Sequence, residues 1–181
     1  VHCEKMDLVI VPSKHTKSVL TNSGITNTPI EVVPESFFDE IVQESSDIDF
    51  GLETKFNFLT VGVLTGSNPF SDRKNLFFLI KWFVENFRGN KEVGLIVKTN
   101  SGRDTTIDKK MTSNVLRRVL SEVGRENAPS VYLLHGPMTR KEMTSLYKND
   151  SVKAFVSCTR GEGFGLPFLE AAAADLPVIA T

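Results

Sequence analysis

The sequence has no long apolar run, only two cysteines and almost no net charge, and each of these absences excludes a class of protein. No apolar run reaches the roughly 18–20 residues that a membrane-spanning helix needs. Cys3 and Cys158 match no metal-ligand or CxxC spacing, so both are predicted to be small, buried or half-buried side chains. The formal net charge of −1 provides no bulk attraction to nucleic acid or anionic membrane. No signal peptide is visible, and we expect a cytoplasmic protein.

The composition is that of a folded globular protein. With 181 residues, of which 40% are hydrophobic and 24% charged, the chain can form one ordinary domain and part of another. It opens on Val1 without a methionine and stops at Thr181, at the end of a predicted strand. We therefore expect a piece of a longer polypeptide.

Short apolar runs alternate with helical patterns along the chain. The predicted strands are 7–13, 30–34, 56–63, 93–99, 131–136, 152–158 and 177–181. The predicted helices are 14–23, 76–87, 108–123, one that opens at Thr139 with Glu142 completing a capping box, and 166–174. Such alternation indicates βαβ units with right-handed crossovers. The predicted fold class is therefore α/β: a doubly wound, Rossmann-like parallel sheet with helices on both faces.

Ligands of such sheets bind outside the carboxyl ends of the strands. The loops expected there are 64–74, 99–108, 136–139 and 159–166. The last loop has three glycines in five residues, Gly161, Gly163 and Gly165, which allow sharp turns and close backbone approach. The amides of Phe164, Gly165 and Leu166 would face an anion from the start of the next helix. A dinucleotide fingerprint fits poorly, because the spacing is GxGxG rather than GxGxxG.

Two acids flank these amides. Helical side chains lean toward the helix N-terminus, so the carboxylate of Glu170 can return toward the loop that holds Glu162. A diphosphate between two carboxylates, each accepting hydrogen bonds from sugar hydroxyls, describes a nucleotide sugar. In the alternative interpretation, Glu170 only complements the helix dipole and Glu162 is solvated. The spacing leaves both interpretations open.

The run "EGFGLPFLEAAAADLPVIA" resembles the donor-site motif of retaining glycosyltransferases of the GT-B fold, family 4 (group 1). More weakly, "VIVPSKHTKSVLTNSGI" with "IEVVPE" resembles the end of that family's N-terminal domain. The runs "FLTVGVLTGSNPFSDRKNLFFLIKWF" and "LLHGPMTRKEMTSLYKNDSVKAFVSCTRGEGFGLP" resemble the start and middle of its donor domain. The resemblance implies that 1–34 ends the acceptor domain, that 35–55 is a linker, and that 56–181 is a donor-binding domain truncated at its C-terminus.

The resemblance also implies roles around the donor. Glu170 would hold the ribose hydroxyls and Glu162 the transferred sugar. The amides of Phe164, Gly165 and Leu166 would cradle the diphosphate.

Lys74 would neutralise the diphosphate and act with Glu162 in catalysis, and the segment ending at Met138 would lie near the base. Where the family has an arginine after its first donor-domain strand, this chain has Val63. Since the leaving diphosphate gains negative charge, efficient transfer would need Arg73, Lys98 or Arg160 to replace that arginine. The alternative for each is a solvated surface cation, which is the preferred interpretation of Arg160. His135, at a strand end, is a candidate neighbour of the donor.

The activity that the resemblance implies is transfer of a sugar, with retention, from a nucleotide diphosphate donor to an unidentified glycan, lipid or small-molecule acceptor in glycan biosynthesis. No metal, cofactor or nucleic acid is expected. The isolated chain is expected to be inactive, because a GT-B active site lies between two domains. The alternatives are a non-catalytic nucleotide-sugar-binding module, which Val63 favours slightly, or another GT-B enzyme such as a sugar-nucleotide epimerase or a phosphorylase.

Overall fold

The computed structural model describes residues 2–24, 26–43, 45–63, 68–100, 102 and 105–181. Its strands are β1 (Val9–Val11), β2 (Ile30–Val32), β3 (Phe56–Val61), β4 (Val93–Thr99), β5 (Ser130–His135), β6 (Val152–Ser157) and β7 (Val178–Ala180). Its helices are α1 (Lys14–Ser23), α2 (Leu76–Asn86), α3 (Thr106–Val123), α4 (Arg140–Tyr147) and α5 (Leu166–Ala173), with 3-10 helices at Cys3–Lys5 and Asp39–Val42. Of the predicted ligand loops, residues 64–67, 101, 103 and 104 lie outside the described residues.

The main sheet is parallel throughout, with five strands in the order β5-β4-β3-β6-β7. The chain moves outward from β3 to β5, then crosses back so that β6 pairs with the other edge of β3. The direction of winding therefore reverses between β3 and β6, which is where sheets of this kind open a crevice for ligands.

The core lies on both faces of this sheet. In β4, Leu95 and Val97 belong to a cluster with side chains of α2 and α3. Between them, Ile96 belongs to a cluster with Leu146 of α4 and Ala171 of α5. Because strand side chains alternate between faces, the two helix pairs cover opposite sides of the sheet. The prediction of a doubly wound fold is confirmed.

Two of the helices, α3 and α4, start at capping boxes. Thr139 and Glu142 form the predicted capping box: Glu142 N donates to Thr139 Oγ1 at 3.2 Å, and Thr139 N donates to the Glu142 carboxylate at 2.6 Å. A second box, between Thr105 and Asp108, starts α3 at Thr106, two residues before the predicted start. Each box satisfies amides that a helix N-terminus leaves without partners.

The first predicted strand is shorter and more exposed than expected. The apolar run predicts a strand over 7–13 of the kind that is buried on both faces, but β1 covers only Val9–Val11, and Ile10 is 61% exposed. The reason is that β1 pairs only with β2 in a two-stranded sheet, which cannot enclose both of its faces in the described part of the chain.

The segment predicted to be a linker, 35–55, packs against α4 and α5 on one face of the main sheet. Within it, the 3-10 helix places Ile41 fully buried in the cluster under α4 and α5. Hydrogen bonds from Thr144 Oγ1 to the Glu40 carbonyl (3.1 Å) and from Ser46 N to Ser145 Oγ (2.9 Å) fasten it to α4. Within the described residues, no helix combines the length and apolarity that crossing a membrane requires.

Candidate functional site

A cavity of about 420 Å³ opens at the carboxyl ends of β3 and β4, beside the first turn of α5. Three of the predicted site residues, Lys74, Lys98 and Met138, line it together with Val63. The rest of its described lining is Val61, Gly62, Thr99, Asn100, Pro137, Met143 and Pro167. The strand ends thus bring together residues from three loops and the first turn of α5, as the fold class predicts.

Lys74 and Glu162 form a close ion pair near this cavity. Lys74 Nζ lies 2.6 Å from Glu162 Oε1 and 2.9 Å from Oε2, and the two side chains are only 16% and 17% exposed. The exposed Arg73 adds a contact of 3.2 Å to Oε2, and its Nη1 also donates to the Gly161 carbonyl at 2.5 Å. Glu162 is therefore not a solvated side chain.

These contacts set the charge of Glu162. Burial by itself would raise the pKa of this carboxyl, but the hydrogen bond and charge of Lys74, with hydrogen bonds from Arg73 and Thr159, hold the pKa below its ordinary value. At neutral pH the glutamate is ionised and already has cationic partners. An anionic ligand at this position would have to compete with Glu162 for Lys74.

Asp72 and Gly62, neither of which was predicted as a site residue, hold Lys74 in place. The carboxylate of Asp72 accepts from Lys74 N at 3.0 Å and from Leu76 N at 2.8 Å, so it holds the turn that leads into α2. On the other side, a Cβ at Gly62 would stand 3.3 Å from Lys74 Cγ, so the lysine stem lies across the end of β3. An acid just before an apolar helix was the available signal for Asp72.

Arg160 lies at the surface, as interpreted from the sequence, but its guanidinium is bound by protein groups and not by solvent alone. Its guanidinium donates to the carbonyls of Phe70 and Pro69 and, at 3.0 Å, to Asn75 Oδ1. It also lies over the ring of Phe78, 5.8 Å from the centroid. Arg160 therefore holds the segment before α2 against the glycine loop.

The glycine loop leads directly into α5. Gly165 is the residue before the helix and has a φ of 89°, in the left-handed region that favours glycine. Gly161 and Gly163 have no such φ, so only Gly165 needs to be glycine for its backbone conformation. Among the residues that the structure describes, the amides of Phe164, Gly165 and Leu166 donate to no acceptor. They remain available to an anion, as predicted for a helix N-terminus.

Glu170 has a different environment from Glu162. It is half-buried on α5, and its Oε2 lies 3.0 Å from the hydroxyl of Tyr147 at the end of α4. Burial raises the pKa of Glu170, and the hydrogen bond from Tyr147 only partly opposes this rise. Burial, and then the charge of Glu170, also raise the pKa of Tyr147, so the phenol stays protonated and donates. Neither acid belongs to the described lining of the cavity.

Lys98 is buried rather than on the surface. It is 5% exposed, and its Nζ donates to the Gly136 carbonyl at 2.5 Å and to Asn100 Oδ1 at 2.7 Å. These bonds place a second cation at the cavity and fasten the loop after β5. His135 was expected beside the donor, but it is not part of the described lining, and its buried Nε2 has no partner among the described residues.

Among the described residues, no three His, Cys, Asp or Glu side chains come together as potential metal ligands. Two cationic side chains, Lys74 and Lys98, belong to the described lining of the cavity.

A doubly wound parallel sheet with a glycine loop at its ligand edge places this protein among Rossmann-like folds of the kind that build GT-B glycosyltransferases. The sequence model of the family described as glycosyl transferases group 1 matches residues 67–181, and the chain belongs to this family. A search of curated proteins finds no match.

Solved structures resemble the chain over nearly its whole length. An α,α-trehalose-phosphate synthase (UDP-forming) from Burkholderia xenovorans, in complex with glucose-6-phosphate, has a TM-score of 0.68 at 13% identity, over 98% of this chain and 46% of that chain. A trehalose-6-phosphate synthase has 0.67 at 16%, over 98% and 45%. An E. coli structure described as trehalose-6-phosphate bound with UDP-2-fluoro glucose has 0.63 at 17%, over 98% and 46%. At these identities the likeness shows the fold alone, and this chain spans about half the length of those structures.

Proposed function

We propose that this chain binds the diphosphate of a nucleotide sugar, and that the longer protein transfers the sugar to an acceptor with retention of configuration. The observation that carries the proposal is the position of the Lys74–Glu162 ion pair in the same loop region as the three amides at the start of α5, which have no acceptor among the described residues. A cation, an anion-binding helix end and a carboxylate at one edge of a sheet suit a sugar attached to a diphosphate.

In this proposal, the diphosphate takes the place of Glu162 as the partner of Lys74. The released carboxylate then accepts hydrogen bonds from the transferred sugar, while Glu170 accepts from the ribose hydroxyls. Lys74, Lys98 and the amides stabilise the charge that develops on the leaving diphosphate, so no metal is needed. Arg73, already beside Glu162, supplies further positive charge.

Met138, on the wall of the cavity, would lie near the base. UDP-glucose is the first donor to test, because UDP-2-fluoro glucose is bound in one similar structure. Glucose-6-phosphate, bound in another, is the first acceptor. A cytoplasmic location and a role in glycan biosynthesis stay predictions.

A binding module without turnover is the second candidate. It is favoured by Val63, an exposed apolar side chain on the cavity wall at the position where the resemblance implies an arginine. Product analysis with the full-length protein separates the candidates. Free nucleotide and a glycoside support transfer, unchanged donor supports the binding module, and an altered donor sugar indicates an epimerase.

The two glutamates provide the direct test on this chain. Glu170→Gln should weaken binding of UDP and of UDP-glucose equally, by roughly ten- to a hundredfold, the size of one charged hydrogen bond. Glu162→Gln should tighten binding of UDP, because it removes the competitor for Lys74, and should lower the added affinity that glucose provides. Calorimetric titration measures both effects.

Glu85→Gln is the matched control, since Glu85 is an exposed glutamate whose ion-pair contact on α2 is 3.9 Å long. Unchanged affinities in both site variants would exclude this donor site. Equal losses for both ligands in both variants would exclude the division of roles between the two acids.

A further inference from the structure

We infer that Tyr147 is the positioning residue of Glu170: its hydroxyl occupies one carboxylate oxygen and so presents the other to the vicinal hydroxyls of a ligand's ribose. The inference rests on the proposed function, which assigns Glu170 to the ribose. Tyr147 belongs to α4 and not to the glycine loop or α5. It would affect the ligand only through Glu170.

The geometry of the contact fixes the direction of the hydrogen bond. The Tyr147 oxygen lies 3.0 Å from Glu170 Oε2. An ionised carboxylate can only accept, and a phenol has one hydrogen to donate. Tyr147 therefore uses its donor on Oε2, whereas Oε1 has no partner among the described residues. A ribose offers two adjacent donors, which suit a carboxylate oxygen held in one orientation.

Packing holds Tyr147 rigidly enough for this role. The residue is 1% exposed, and it packs in the cluster that contains Ile41, Leu146 and Phe155. A ring that is enclosed by close-packed neighbours has little room to change rotamer, which keeps its hydroxyl in one place. The hydroxyl thus has a fixed position from which to orient the more exposed Glu170.

The surroundings of Glu170 contain no competing cation among the described residues. Burial raises the pKa of Glu170, and the hydrogen bond from Tyr147 is the one described contact that opposes the rise. The 3-10 helix packed against α5 carries two acids. Asp39 is exposed, and the carboxylate of Glu40 lies 3.6 Å from the guanidinium of Arg140. The charged form of Glu170 therefore depends on Tyr147 until a ligand arrives.

The chain offers a matched control, because it has only two tyrosines. The other, Tyr132 on β5, accepts hydrogen bonds from the amides of Glu53 (3.1 Å) and Thr54 (3.2 Å) with its hydroxyl. Tyr132→Phe thus removes the same atom from a hydrogen-bonded site that does not contact Glu170.

The experiment measures affinity for the tightest-binding of UDP, GDP and ADP and for its 2′,3′-dideoxy analogue, by calorimetry with the 181-residue chain. Tyr147→Phe should weaken binding of the ribose form by roughly three- to tenfold, the size of one hydrogen bond, and change that of the dideoxy form less than about twofold. Tyr132→Phe should leave both within about twofold. In a Glu170→Ala background, Tyr147→Phe should have no further effect on either ligand, because the side chain it positions is gone.

Equal losses for the ribose and dideoxy forms in Tyr147→Phe would overturn the inference, since that result indicates a purely structural role. So would an unchanged ribose affinity, or a further loss in the Glu170→Ala background. Failure of the proposed function is seen separately in the wild type, which would then bind none of the three diphosphates or would not prefer ribose over dideoxyribose. Retained binding of the dideoxy form shows that each variant is folded.

Discussion

Replacing Lys74 with methionine should destabilise the fold by about 1–3 kcal/mol at neutral pH. Truncating one partner of a fully buried ion pair costs about 3–5 kcal/mol, whereas an exposed pair contributes about 0–1 kcal/mol. The side chains of Lys74 and Glu162 are 16% and 17% exposed, which is nearer the buried limit. Arg73 remains 3.2 Å from Glu162 and compensates for part of the loss.

Lys81, which lies close to Lys74 in the sequence, provides a control for this loss of stability. Lys81 on α2 lies 3.9 Å from Glu85, and these side chains are 41% and 47% exposed. Lys81→Met should therefore cost no more than about 0.5 kcal/mol. For a chain of this size, about 1 kcal/mol corresponds to roughly 2–4 °C in Tm. Thermal unfolding can be followed by the fluorescence of Trp82, the single tryptophan.

The pH dependence of Tm tests whether the loss of stability in Lys74→Met comes from the ion pair with Glu162. Because the pKa of Glu162 is lower in the folded chain than in the unfolded one, its contribution to stability is present above its unfolded pKa. That contribution is lost as the pH falls through the folded pKa. The gap in Tm between wild type and Lys74→Met should therefore narrow in acid. Equal losses in Lys74→Met and Lys81→Met, or a gap that does not change with pH, would show that the ion pair does not stabilise the fold.

Three further substitutions test other parts of the site. Burial raises the pKa of Glu170, so the contribution of this residue to folding stability is lost as the pH rises through its folded pKa. Glu170→Gln should therefore raise Tm at pH 7 but not at about pH 4. A lower Tm at pH 7 would contradict this. Gly62→Ala places a Cβ 3.3 Å from Lys74 Cγ and should weaken UDP binding several-fold with little change in Tm, whereas an unchanged affinity would contradict the position of Lys74. Gly165→Ala, at φ 89° with Phe168 3.2 Å from the new Cβ, should cost about 1–2 kcal/mol in urea denaturation, and a neutral result would contradict the left-handed turn.

Local sequence patterns predicted most of the strands and helices and the doubly wound fold class, but not the order of the strands in the sheet. The apolar run of β4 is buried along its whole length, as a central parallel strand requires, and the box at Thr139 starts α4 where predicted. The strand order could not be predicted, because alternation of strands and helices does not say on which side of β3 the chain returns after β5. That return pairs β6 with β3, and the helix that follows β6 contributes Pro167 to the cavity.

The contacts of individual side chains were harder still to predict. The resemblance brought Lys74 and Glu162 to one site but did not indicate that they pair with each other across 88 positions. Lys98 and Arg160 were weighed as surface cations, yet one is buried and the other bridges two loops. In each case a partner distant in sequence determines the environment, and spacing along the chain carries no information about such partners.

Glu162 and Glu170 have opposite environments: the pKa of Glu162 is lowered by cationic partners, and that of Glu170 is raised by burial. This difference determines which part of a ligand should supply affinity. Glu162 has cationic partners, so a diphosphate that binds Lys74 must exchange one ion pair for another and gains little net energy from the exchange. Among the described residues Glu170 has one hydrogen bond and no cationic partner, and burial already disfavours its charged form, so each hydroxyl it accepts offsets part of an existing cost. On the proposed function, discrimination between nucleosides with and without ribose hydroxyls should therefore exceed discrimination between one and two phosphates. Comparing UDP with UMP and with dideoxy-UDP on this chain measures both differences, and a larger loss on removing the phosphate would contradict this assignment.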